Sequence, residues 1–172
     1  MLIGKIIAVA VVMIWAGYLS WTDCKTRILP NAWTVGGAAV ALVFRFGFGG
    51  IPLFVDGLAA ACIAGAFLLV PFLMRGAGGG DVKMLFAAGA VVGWSSLFEL
   101  LWVTSLAGLV MAVVMLIAGE LDPSRLKHYL RSVFDWRYDR AAGALDLQPK
   151  DSSRFRVPFS VPIAIGVLTA LL

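Results

Sequence analysis

Apolar runs of membrane-spanning length recur along almost the whole chain, and they leave it few possible folds. Residues 2–21 are broken only by Lys5, and further runs follow at about 32–46, 53–73, 82–97, 100–118 and 157–172. A helical crossing takes about 20 mostly apolar residues. Hydrophobic residues make up 61% of the 172, well above the roughly 45–50% of soluble domains. The expectation is an all-α, polytopic membrane protein. It is a bundle of about six transmembrane helices forming a single domain over residues 1–172, with one cytoplasmic amphipathic helix added. The length left over is too short for a separate soluble domain. The first run has a second reading as a cleavable signal peptide, with Lys5 in its basic region and Ala16-Gly17 near the cut. Its span length and the spans that follow favour a retained helix.

The connections carry more information than the spans. Residues 23–31 read as a short polar turn, with Pro30 and Asn31 suited to opening the next helix. Phe48-Gly49-Gly50-Ile51-Pro52 reads as a tight turn, flanked at similar depth by Arg45 and Asp56, and pairing is how a bundle tolerates such groups. Gly108 and Ala112 suit close helix packing. Cys24 and Cys62 form no metal-binding spacing and are expected to be free thiols.

The long loop at about 119–157 is different in character, holding eight of the fourteen Lys and Arg and six of the ten acidic residues. Asp122-Pro123 reads there as a helix start, with Leu126, Tyr129, Leu130, Val133 and Phe134 on one face and Arg125, Lys127 and Arg131 off it. That pattern suits a helix lying on lipid headgroups. His128, the only histidine, is expected to be solvated rather than a ligand or base.

The net charge of +4 does not require a nucleic-acid partner, because topology accounts for it. Lys25, Arg27, Arg75 and Lys83 lie in alternate turns with the long loop, which puts twelve basic residues on one side against Lys5 and Arg45. The positive-inside rule makes that side cytoplasmic. Asp23 and Asp81 fall there, with residues 1 and 172 opposite.

Asp81 lies in Arg75-Gly76-Ala77-Gly78-Gly79-Gly80-Asp81-Val82-Lys83, at the edge of a hydrocarbon layer where a carboxylate is costly and by default functional. Asp23 ends the first span at similar depth. Two such carboxylates sharing a water would keep one proton between them, one activating water while the other protonates a peptide carbonyl. Gly78, Gly79 and Gly80 would let a peptide approach closely and permit backbone angles denied to other residues. A phosphate-cradling loop is the competing glycine-rich reading, and the absence of GxxxxGK[ST] speaks against it. The residues alone leave three readings open: a catalytic pair, helix caps balanced by Lys25 and Lys83, or a proton relay in a carrier. A non-catalytic membrane scaffold is a fourth.

The segment Gly78-Gly79-Gly80-Asp81-Val82-Lys83-Met84-Leu85 resembles the GxGD segment of the type IV prepilin peptidases. Asp23 with Ile28-Leu29-Pro30-Asn31 resembles their first aspartate segment. Val157-Pro158-Phe159-Ser160-Val161-Pro162-Ile163-Ala164 is similar to the start of their last span. The resemblance implies a multi-pass peptidase of the bacterial inner membrane that removes the leader from prepilin or pseudopilin precursors at the cytoplasmic face. It implies Asp23 and Asp81 as the catalytic pair, Gly78, Gly79 and Gly80 as the substrate-approach loop and Lys83 as a neighbour that tunes the pair or contacts headgroups. It implies no cofactor and no metal; the partners are the precursor proteins and membrane lipids. Larger members carry an additional cytoplasmic segment with paired cysteines and also methylate the new pilin N-terminus. This chain resembles the short form found in tight-adherence (Flp) pilus systems.

Overall fold

The structure, a computed structural model, describes residues 2–26, 28–73, 77–118 and 159–172. Among them all regular structure is helical: α1 (Leu2–Thr26), α2 (Asn31–Leu73), α3 (Gly79–Val92), α4 (Leu97–Ile117) and α5 (Ser160–Leu171). By length and composition three stretches could cross a membrane, Ile6–Thr26, Asn31–Leu69 and Leu97–Ile117. The 14 residues of α3 and 12 of α5 are shorter than the roughly 20 of a full crossing. The expectation of about six spans is therefore met by length in three stretches only. The expected amphipathic helix and His128 lie outside the described residues.

The chain divides into two compact units, Met1–Leu109 with Pro158–Leu172, and Val110–Val157. The second is described only over the end of α4 and Ala118. In the first, many small residues pack inside beside Leu19, Met84, Leu85, Leu100 and Ile163, while many other large apolar side chains face outward. Ala16, Ala60, Ala61, Ala64, Ala87 and Ala88 are fully buried, whereas Ile14 is 73% and Phe98 79% exposed. Large apolar side chains turned outward on this scale suit lipid rather than water as the solvent.

Small residues also let helices touch. A Cβ added at Gly89 of α3 would lie 2.7 Å from the Ala60 carbonyl oxygen and 2.8 Å from the Ala64 Cβ of α2. Among the described helices these two share the most extensive packing, as close backbone approach allows. Gly108 shows the same economy, its missing Cβ leaving room for the Phe159 ring.

The turn expected around Gly50 is real. Its φ of 63° and ψ of −154° break α2 into segments 31–49 and 51–73. Arg45 Nη1 donates to Asp56 Oδ2 at 2.9 Å across 11 residues. Along a straight helix that separation is about 16 Å, beyond the combined reach of the two side chains, so the segments fold back on each other. The expected ion pair thus forms, and it also reaches α3. Arg45 Nη2 donates to the Val91 carbonyl at 3.3 Å, and the Trp94 N–H donates to Asp56 Oδ2 at 3.1 Å. Together they latch the far end of α3 to the hairpin.

Two helix boundaries depart from expectation. The turn expected over 23–31 is shorter than that, because α1 continues through Asp23, Cys24 and Lys25 to Thr26 and α2 opens at Asn31. Thr22 and Thr26 bond their hydroxyls to the carbonyls of Tyr18 and Thr22, and Lys25 sits in the last turn, where the helix dipole favours a cation. The helix expected over 82–97 starts three residues earlier and stops at Val92, because Gly93 takes a φ of 81° that ends it.

Candidate active site

One end of the first unit collects four helix ends: the last turn of α1 and the first turns of α2, α3 and α5. Asn31, the first residue of α2, accepts a 2.8 Å hydrogen bond at Oδ1 from Lys83 Nζ of α3. Gly80 of α3 lies against Leu29, where a Cβ would come within 3.0 Å of the Leu29 Cβ. The chain between α1 and α2 is therefore pinned to the start of α3. Asp23 and Asp81 both lie at this end, and both are buried, each 7% exposed.

Asp81 is the third residue of α3. Its Oδ2 accepts the Gly78 N–H at 3.0 Å, while the Asp81 N–H donates to the Gly78 carbonyl at 3.1 Å. The carboxylate thereby satisfies one of the N–H groups that every helix start leaves unpaired. It also sits where the helix dipole favours negative charge. Asp23 is held differently. Its Oδ2 accepts a 2.6 Å hydrogen bond from the buried hydroxyl of Ser160, the first residue of α5, so its carboxylate also faces a helix N-terminus. The Ser160 carbonyl in turn accepts from Ser20 Oγ at 3.2 Å, and Ser20 lies one turn before Asp23.

α5 packs against both α1 and α3, the helices that carry the two aspartates. The arrangement assembles two buried carboxylates at one end of a helical unit, each with a defined donor on one oxygen. The Gly78 bond to Oδ2 makes Asp81 a helix cap, and that role and a catalytic one do not exclude each other. Lys83 does more than face headgroups, being tied to Asn31.

The glycines correct an expectation. Gly79 and Gly80 are helical, Gly78 is extended at φ −83° and ψ 148°, and among the described residues only Gly50 and Gly93 have positive φ. Backbone freedom is not what these positions need; room is. A Cβ at Gly78 would lie 3.0 Å from Asp81 Oδ2, and one at Gly79 3.3 Å from the Phe72 ring. Ser160 is the contact that sequence reading missed, although the proline-containing segment around it had been singled out.

The family model for the type IV leader peptidase family matches residues 10–113, which include both aspartates and the glycine segment. The chain belongs to this family. Among curated relatives, this leader peptidase family member is 34% identical over 106 residues to a prepilin leader peptidase/N-methyltransferase of Neisseria gonorrhoeae, covering 58% of the chain and 37% of that protein. It is 37% identical over 103 residues to a protein of the same description from Escherichia coli (strain K12), covering 56% of the chain and 45% of that protein. The matched part is thus less than half the length of either relative. No solved structure matches the chain.

Proposed function

We propose that this protein is a membrane-embedded aspartic endopeptidase that removes the leader from prepilin or pseudopilin precursors, with Asp23 and Asp81 as its catalytic pair. The observation that carries the reading is the burial of both carboxylates at the same end of one helical unit, inside the segment that matches the leader peptidase family. In the reaction the ionised carboxylate takes a proton from water as the water oxygen adds to the scissile carbonyl carbon. The protonated carboxylate gives its proton to the carbonyl oxygen. Collapse of the tetrahedral intermediate breaks the C–N bond, and the proton taken from water passes to the leaving amine. As the product carboxyl forms, a hydroxyl of the intermediate returns a proton to the carboxylate that gave one up, so one water is consumed and the pair is regenerated.

In this reading the aspartate end faces the cytoplasm of a bacterial inner membrane, as the basic residues of the alternate turns require. The two segments of α2 count as separate crossings, and α3 and α5 complete a bundle of about six. Substrates present a short basic leader just before an apolar helix, and lipids surround the outward-facing apolar side chains.

Co-expression with a pilin-like precursor tests the assignment, read as a leader-sized mobility shift. Asp23→Asn and Asp81→Asn are each expected to lower processing by on the order of a thousandfold or more, since members of a cooperative pair fail together. An inserted Asp81→Asn protein that processes precursor at the parent rate would overturn it.

A further inference from the structure

We propose that Ser160 is a positioning residue for the leader-peptidase reaction, holding the Asp23 carboxylate in a fixed rotation from the first turn of α5. The inference rests on the peptidase reading above. Its carrying observation is the 2.6 Å hydrogen bond from the fully buried Ser160 hydroxyl to Asp23 Oδ2. A bond of that length from a hydroxyl is at the short, charge-assisted end of the range. It is also Asp23's one side-chain hydrogen bond among the described residues.

A carboxylate rotates about its Cβ–Cγ bond with little resistance, so a single donor decides which oxygen is engaged. With Oδ2 committed to Ser160, Oδ1 remains to bind water or the scissile carbonyl. The donor is itself fixed. Ser20, one helical turn before Asp23, donates to the Ser160 carbonyl at 3.2 Å, so α1 grips Ser160 through its backbone while Ser160 grips Asp23 through its side chain. Beyond it Pro162, Ile163, Gly166 and Val167 are buried, and α5 packs against α1 and α3 together. The last described helix thus serves as the bracket that sets one catalytic carboxylate relative to the helix that carries the other.

The role separates from simple packing by its kinetics. The full chain, purified in detergent, is given a synthetic peptide with a short basic leader, a glycine and the start of an apolar helix. Ser160→Ala is expected to lower kcat per folded molecule by about 10- to 100-fold, the value of a hydrogen bond to a charged group, while KM stays within about twofold. Ser160→Thr keeps the donor and recovers most of kcat. A Ser160→Ala protein with parental kcat and only a lower unfolding temperature overturns the proposal. Should Ser160→Ala not fold, Ser160→Cys decides, because the thiol fills similar space but donates weakly: a kcat reduced about tenfold supports the role, and a parental kcat overturns it. Asp23→Asn, run in parallel, separates the two levels: if it cleaves the peptide at the parental rate, the peptidase assignment of the pair fails, whereas a dead Asp23→Asn beside a fully active Ser160→Ala removes only Ser160.

Discussion

At the scale of single residues, the site is shaped by what is missing as much as by what is present. Gly78 has backbone angles that any residue adopts, yet a Cβ there would lie 3.0 Å from Asp81 Oδ2. The Gly78→Ala protein is therefore expected to fold, with a stability change below about 1 kcal/mol, because alanine suits this backbone. Processing should fall about tenfold or more, as for any small displacement of a reacting group. Thermal unfolding alongside precursor cleavage checks the prediction, and equal losses in both would refute it. Aspartates in apolar surroundings were legible from the chain as costly groups, and so was their shared end, from the order of spans and basic turns. The donors that hold them were not. Gly78 lies three residues from Asp81, but Ser160 lies 137 residues from Asp23.

At the scale of elements, α3 is secured at both ends. Lys83 and Leu29 fix its start, and Arg45 and Asp56 fix its finish through the Val91 carbonyl and the Trp94 N–H. Asp56→Asn keeps an acceptor for Trp94 but leaves the Arg45 guanidinium without its counter-ion. The two side chains are 14% and 36% exposed, so the cost is expected to fall below that of a fully buried pair, at about 1–3 kcal/mol. It should appear as a lower unfolding temperature in detergent, and because the latch lies at the far end of α3, kcat per folded molecule should remain near parental. The ion pair was readable because a short glycine-proline turn separates its members. The close seam between α2 and α3 was not singled out, although its alanines and glycines are plain in the sequence. Small residues are common in any apolar span, and only the backbone separation reveals which of them touch.

For the whole molecule, the two cysteines provide an internal probe of orientation. Cys24 is exposed one residue beyond Asp23, and Cys62 is exposed midway along the second segment of α2, where the surroundings are apolar. A membrane-impermeant maleimide should label Cys24 in inverted inner-membrane vesicles and not in right-side-out ones. Cys62 should resist in both, since a membrane-impermeant reagent does not enter the hydrocarbon that this face of α2 meets. Labelling of Cys24 from the outer side would reverse the orientation proposed above.

The sequence by itself determined that the chain is helical and membrane-bound, that it turns back at Gly50, that Arg45 needs Asp56, and that Asp23 and Asp81 share one end. Those properties depend on local composition, on span length and on charge in alternate turns, all of which are written along the chain. Tertiary structure decided the rest. It carried α1 through Asp23 to Thr26, set the glycines to work as clearance rather than as flexible backbone, and brought the start of α5 onto Asp23. Each of these depends on which faces of distant helices meet, and a hydrogen bond closed across 137 residues leaves no local pattern by which to foresee it.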